Sequence, residues 1–223
     1  MIITAHRTSL GEAGRLSIGF YTSFSAGTLR TTLQDFRQRF PDVKFDMVEK
    51  PRTGLMSALR SGALDAAIVT GDSVRGDSGT LPIWSERILL GLPEGHPLSG
   101  QETIYWTHLV GETVLLSQCG QGRELEELLI SKFVSSEDRP RIERHEVNPS
   151  IIKSLVGVVP GVTLILESDM GAKISGLVYR EIRDSNGSSR IGYSVCWRED
   201  NENPALANFL NLLRERYPSP PAA

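Results

Sequence analysis

The strongest constraint on the fold is an alternation of strand-like and helix-like patterns between residues 15 and 69. Three apolar side chains alternate with other residues and predict a strand over 15–21: Leu16, Ile18 and Phe20. Four more recur at helical spacing ahead of Pro41, which ends the helix: Leu29, Leu33, Phe36 and Phe40. Three further elements follow: a second strand, a helix with Thr53 as its expected N-cap, and an apolar run over 64–69 that predicts a buried strand. Together they complete a β-α-β-α-β order. This order predicts an α/β fold with a parallel sheet and right-handed crossovers.

The rest of the chain repeats the alternation. Six further strands are predicted at 87–92, 113–117, 141–147, 162–166, 177–182 and 191–197, and helices near 122–134, 149–155 and 204–217. Asn148-Pro149 and Asn203-Pro204 are favourable helix starts, because the amide caps the helix and proline suits its first position. Ile151 is expected to face the core from the helix that Asn148 starts. The pattern indicates two α/β units without a flexible linker between them.

Composition and charge exclude several classes of protein. The 24 basic and 27 acidic side chains leave a net charge of −3 with no block of Lys or Arg, which argues against a dedicated nucleic-acid-binding surface. The longest apolar runs are about ten residues, well short of the roughly 20 that span a bilayer. Two cysteines, Cys119 and Cys196, cannot build a disulfide framework, although they could form one bond. With no signal-peptide pattern over 1–15, a reduced, cytoplasmic protein is expected.

Motifs for catalysis or cofactor binding are missing from the sequence. It contains no G-x-S-x-G, P-loop or G-x-G-x-x-G segment, and its histidines lack metal-ligand spacing. Cys119 precedes a helix start, which would lower the pKa of its thiol. However, the spacing of the histidines does not indicate which of them could act as a general base for this thiol. We therefore expect no catalytic residue, no metal and no cofactor, and a protein that is not an enzyme.

Five segments resemble, in the same order, the effector-binding domain of LysR-type transcriptional regulators. They are 14–19 (GRLSIG), 33–41 (LQDFRQRFP), 55–69 (LMSALRSGALDAAIV), 95–98 (GHPL) and 155–162 (LVGVVPGV). The resemblance covers residues 12–217, nearly the whole sequence. It departs from the family in two respects. The winged helix-turn-helix and long linker helix that precede this domain are not in the sequence, and Val158-Val159-Pro160 stands where the family usually has an Ala/Gly-rich turn. Residues 5–13 resemble the last turns of that linker.

The resemblance implies a type II periplasmic-binding-protein-like architecture, in which two Rossmann-like subdomains are joined by two crossing strands near 89–92 and 191–195. Residues 14–90 and 191–217 would form subdomain I and residues 91–190 subdomain II, with 1–13 a linker remnant and 218–223 a tail. An effector would bind in the cleft between the subdomains. The protein would be a homodimer or tetramer that reaches DNA only through a helix-turn-helix domain not in this chain, with no membrane partner.

Candidate effector-binding residues follow the predicted strands. Hydroxyls and free N–H groups ahead of the first helix favour an anion, although one serine there could be only an N-cap. The positions that the resemblance brings to the cleft from subdomain I are Ser23, Phe24, Ser25, Lys50, Arg52, Thr53, Thr70 and Gly71. Those from subdomain II are Gln118, Cys119, Val147, Asn148 and Pro149. Because donors outnumber acids, a small carboxylate is expected, and Phe24 favours an aromatic or short-chain one.

The family resemblance also implies how two copies would meet. The helix that carries Leu33, Phe36 and Phe40 would pack against the helix at 122–134 of a partner copy. Two other classes of protein with a related fold are alternatives. A solute-binding protein of a transport system is disfavoured by the linker-like residues 5–13, and an enzyme on a related cleft fold by the missing catalytic motifs.

Overall fold

The computed structural model describes residues 10–23, 27–71, 78–171 and 173–218. The strands there are β1 (Ala13–Phe20), β2 (Asp42–Glu49), β3 (Ala66–Thr70), β4 (Ser78–Pro93), β5 (Thr103–Tyr105), β6 (Thr113–Ser117), β7 (Arg141–His145), β8 (Val162–Leu166), β9 (Leu177–Asp184), β10 (Gly187–Ser188) and β11 (Arg190–Arg198). The helices are α1 (Thr28–Arg39), α2 (Arg52–Arg60), α3 (Gly122–Ser131), α4 (Pro149–Leu155) and α5 (Pro204–Arg216). None of these helices combines the length and apolar character that crossing a bilayer requires.

The chain divides into two compact units. Unit 1 contains Met1–Ser85 and Gly192–Ala223, and unit 2 contains Glu86–Ile191. The divisions expected from the sequence, after residues 90 and 190, fall in β4 and β11, the strands in which the chain passes from one unit to the other. Most of the expected linker remnant and tail, at 1–9 and 219–223, lies outside the described residues.

Unit 1 is built on a sheet with the order β2-β1-β3-β11. Strand β1 runs parallel to β2 and β3, as the β-α-β-α-β pattern predicted, and β11 is antiparallel to β3. On one face, Phe36 of α1 is completely buried, and its ring lies 4.8–5.6 Å from those of Phe40, Phe45 and Phe209. Leu33 is buried as well, at 5% exposure. These side chains form the core of unit 1, and the exposed face of α1 is polar.

Unit 2 contains a sheet with the order β4-β8-β6-β7. Strand β6 is parallel to β7 and β8, whereas β4 is antiparallel to β8 and β9. Helix α3 buries Leu125 and Leu129, and α4 buries Ile152. Ile151 is 48% exposed. Its predicted inward orientation is wrong, because adjacent helical residues differ in direction by about 100° and Ile152 takes the inward position.

The structure confirms two of the predicted helix N-caps and corrects a third. Asn148 and Asn203 cap α4 and α5 by accepting from the N–H groups of Ser150 and Ala205, at 2.9 and 3.0 Å, and proline is the first residue of each helix, as predicted. Thr53 is not the N-cap of α2. Pro51 holds that position with an extended backbone, so α2 begins at Arg52 and Thr53 lies inside its first turn.

Candidate functional site

The carboxyl ends of β1, β2 and β3 lie at one edge of unit 1, because the three strands are parallel. Helices α1 and α2 begin at this edge, after β1 and β2 respectively. Their N-cap residues, Gly27 and Pro51, make no side-chain hydrogen bond to the first N–H groups of the helix. A helix N-terminus carries a partial positive charge and free N–H donors, so this edge favours an anion.

Arg52 adds a full positive charge at the same edge. As the first residue of α2 it is half-buried, and its Nη1 donates to the carbonyl oxygen of Thr70 at the end of β3. Lys50 is exposed, and its backbone N–H donates to the carbonyl oxygen of Phe20 at 3.2 Å. Ser23 is half-buried and Thr53 is exposed. The structure therefore brings these predicted residues to the ends of neighbouring strands, while Phe24 and Ser25 lie outside the described residues.

Thr70 is 2% exposed, and its polar groups are used inside unit 1. Its Oγ1 lies 2.8 Å from the hydroxyl of Tyr21, and its N–H donates to the same hydroxyl at 3.0 Å. Its carbonyl accepts from Arg52. Thr70 thus holds the arginine in place. Gly71 is exposed with φ +80°, and its N–H donates to the Gly192 carbonyl at 2.9 Å, a backbone conformation that favours glycine.

An aromatic group lies beside this edge and was not predicted. The hydroxyls of Thr22 and Tyr193 are 3.0 Å apart, and the ring of Trp84 stacks on that of Tyr193 with centroids 5.6 Å apart. Trp84 also lies 5.5 Å from the ring of Tyr217. Tyr21 and Thr22 could have been found from the sequence, since they directly follow β1. Trp84 and Tyr193 carried no such signal, because distant parts of the chain bring them here.

In unit 2, Ser117 connects the two loops that the sequence singled out. Its Oγ lies 2.6 Å from the carbonyl oxygen of Val147 and accepts from the N–H of Cys119 at 2.9 Å. Gln118, Cys119 and Asn148 are exposed, and Val147 is half-buried. The predicted residues of unit 2 therefore lie together, at the carboxyl ends of β6 and β7. The oxygen of Asn148 is occupied by its capping bonds to Ser150.

A cavity of about 20 Å³ lies beneath these loops. That volume holds one water molecule. Its polar lining comes from four buried residues, Ser117, Gln121, Thr163 and Asp169, and half-buried Pro149 is the predicted residue that reaches it. Helix α3 starts very close to this point, since a Cβ on Gly122 would lie 1.8 Å from the carbonyl oxygen of Ser117.

In unit 2, Arg87 in the second half of β4 pairs with two acidic side chains. Its guanidinium contacts Glu167 at 2.7 Å and Glu181 at 3.2 Å. The hydrogen bond from Arg87 lowers the pKa of Glu167. The pKa of Glu181 is lowered first by the hydroxyl of Ser188 and then by Arg87.

The cysteines are both free: Cys119 is exposed and Cys196 is buried. Within the part of the chain that the structure describes, no group of three or more His, Cys, Asp or Glu side chains could hold a metal ion.

Comparison with known proteins identifies the family of this chain. The family model described as LysR substrate binding domain matches residues 9–218. The Hca operon transcriptional activator HcaR of Escherichia coli strain K12 is 26% identical over 213 residues, covering 96% of this chain and 71% of that protein. The regulator AlsR of Bacillus subtilis strain 168 is 24% identical over 212 residues, covering 93% and 68%.

Solved structures agree on the fold. The LysR-family regulator CbnR superposes with a TM-score of 0.81 at 16% identity, covering 95% of this chain and 73% of that one. The BenM effector-binding domain with its effector benzoate has a TM-score of 0.75 at 18% identity, and the match covers 90% of each chain. The predicted α/β fold, type II periplasmic-binding-protein-like with two Rossmann-like subdomains, is confirmed.

Proposed function

The chain belongs to the family of LysR substrate-binding domains and is the effector-binding domain of a LysR-type transcriptional regulator, and from this premise we propose that its effector is a small organic carboxylate. The observation that carries the proposal is Arg52, held by Thr70 where two helices begin without side-chain caps. A carboxylate there accepts from the guanidinium and from helix N–H groups. Benzoate is the effector of the similar BenM domain.

The proposed contacts in unit 1 are the residues at the carboxyl edge of its sheet: Ser23, Phe24, Ser25, Lys50, Arg52, Thr53, Thr70 and Gly71. Thr70 acts through Arg52, because its own hydroxyl is buried against Tyr21. A second set of contacts is proposed at the strand ends of unit 2: Gln118, Cys119, Val147, Asn148 and Pro149. The exposed thiol of Cys119 allows a direct test, because a bound effector would slow its alkylation.

The experiment is a thermal-shift screen of small carboxylates, beginning with benzoate, on the parent chain, Ser23→Ala and Arg52→Ala. Arg60→Ala is the matched control, since Arg60 is an exposed arginine in the last turn of the same helix. We expect a carboxylate to raise the melting temperature of the parent and the control, and to raise that of Arg52→Ala much less. An equal rise in all four proteins would show that this site is assigned wrongly.

The proposal extends to partners and location. The outer face of α1 is basic, with exposed Arg30 and Arg37, whereas α3 presents exposed Glu127 and half-buried Glu124, so we propose a homodimer in which α1 meets α3 of the other copy. DNA would be contacted through a helix-turn-helix domain rather than through these 223 residues, in the cytoplasm and without catalysis. The relatives named above are regulators, which favours this function over that of a transporter's solute-binding protein.

A further inference from the structure

One buried donor in unit 1 has no acceptor among the residues that the structure describes. Trp84 is 5% exposed, and its indole Nε1 has no hydrogen-bond partner there. Buried polar groups in native proteins are almost always paired, because an unpaired one loses its hydration without compensation. Trp106 illustrates the usual arrangement, since its Nε1 donates to the hydroxyl of Ser189 at 2.8 Å. The free indole N–H of Trp84 therefore requires an explanation.

Contacts on two sides place Trp84 at the carboxyl edge of unit 1. Its ring stacks on Tyr193, whose hydroxyl lies 3.0 Å from that of Thr22, two residues after β1. Its ring also contacts Tyr217, whose hydroxyl lies 2.7 Å from that of Thr32 in α1. Trp84 thus lies between the end of β1 and the first turns of α1, the helix whose N-cap supplies no side chain.

The neighbouring hydroxyls cannot explain the free donor. Thr22 is paired with Tyr193, and Thr32 is paired with both Tyr217 and the backbone of α1. The indole N–H therefore has no acceptor among the described residues, and it lies beside the N-terminus of α1, where the helix dipole favours an anion. A single acceptor atom, such as a carboxylate oxygen, would complete this arrangement.

We propose that Trp84 is a specificity-determining residue of the effector site, whose indole N–H donates to an oxygen of the bound carboxylate. The buried donor favours a ligand with an acceptor atom at this point, because a ligand without one would leave the indole N–H unpaired. This inference rests on the proposed function, and it adds a residue that lies on β4, away from the loops that carry Ser23 and Arg52.

The test uses nuclear magnetic resonance of the whole chain labelled with ¹⁵N at its three tryptophans. Benzoate, cyclohexanecarboxylate and acetate are the probes. We expect a bound carboxylate to move the Trp84 indole proton downfield and to leave that of Trp106 in place. Trp84→Phe keeps an aromatic ring and removes only the donor, so benzoate should bind about tenfold more weakly, the loss of one hydrogen bond to a charged acceptor. Trp106→Phe, the control, should bind benzoate as the parent does.

Two results would overturn the inference, and they separate it from the proposed function. If benzoate binding depends on Arg52 but neither moves the Trp84 signal nor weakens in Trp84→Phe, the role of Trp84 is wrong and the carboxylate site stands. If none of the three carboxylates binds the parent chain, the proposed function fails, and the inference fails with it.

Discussion

At the scale of single residues, the arginine at the edge of unit 1 depends on Tyr21. One phenolic oxygen accepts from the N–H of Thr70 and pairs with its hydroxyl, and the carbonyl of the same threonine holds Arg52. Both contacts between Tyr21 and Thr70 are buried. A change at Tyr21 therefore affects both the stability of unit 1 and the position of the charge that we assign to effector binding.

We expect Tyr21→Phe to lower the free energy of unfolding by about 1–3 kcal/mol, because it leaves buried polar groups of Thr70 without that partner. Tyr179→Phe is the matched control, since the Tyr179 hydroxyl is buried with no hydrogen-bond partner among the described residues and its removal should cost little. Urea unfolding of both variants measures the difference. Equal stability of the two variants would contradict the role given to Tyr21.

Single residues also show where sequence reasoning stops. Ser23, Lys50 and Thr70 could be placed at one edge, because the ends of parallel strands meet wherever the strand order is known. The aromatic group could not, since Thr22 and Tyr193 are 171 positions apart and β11 is antiparallel to β3. Local patterns do not report such long-range pairings. Thr53 was misplaced for a smaller reason: Pro51 is the N-cap, so the helix starts at Arg52, two residues earlier than a Thr53 cap would allow.

At the scale of elements, β4 shows how much periodicity can miss. It spans Ser78–Pro93, but only 87–92 was predicted as a strand. The earlier part contains Pro82 and buried Glu86, residues that depart from a strand-like pattern and are accommodated by tertiary contacts. The longer helices were predicted correctly from the sequence, because the apolar stripe of each helix and the asparagine or proline at its start indicate the same element.

Arg87 connects β4 to β9 and to the turn after β8, through Glu181 and Glu167. The pKa values of both carboxyls are lowered in the folded protein, so the stabilisation is complete above their unfolded value of about 4.3 and is lost as pH falls through the lower folded values. We expect Arg87→Met to be less stable than the parent by about 1 kcal/mol at pH 7, given the partial exposure of these pairs.

The same difference should shrink as pH falls through the lowered pKa values of the two carboxyls, because protonation removes their negative charge in the parent as well. Urea unfolding at pH 7, 5 and 3.5 follows this convergence. Arg139→Met, which changes an exposed arginine in a loop, should match the parent throughout. A stability gap for Arg87→Met that stays constant over this range would mean that packing, rather than charge, is what Arg87 contributes.

At the scale of the whole molecule, the proposed homodimer joins the basic face of α1 to the acidic face of α3. We expect the parent to have a dimeric mass by light scattering at tens of micromolar. Arg37→Glu should weaken the dimer because it opposes like charges, and adding Glu127→Arg should restore it. Glu137→Arg changes an exposed acid outside α3 and should remain dimeric. A monomeric parent, or a double variant no better than Arg37→Glu, would contradict this interface.

The passage of the chain through β4 and β11 also sets an order of events during synthesis. Unit 2 is one continuous stretch, Glu86–Ile191, whereas unit 1 needs Gly192–Ala223 to complete its sheet and to add α5. A ribosome delivers all of unit 2 before it delivers the part of β11 that belongs to unit 1. The first 85 residues must therefore wait with β3 unpaired along the edge that β11 later covers, while the stretch that follows them is already free to fold. In a nascent chain, unit 2 is therefore ready to fold before unit 1 can be completed.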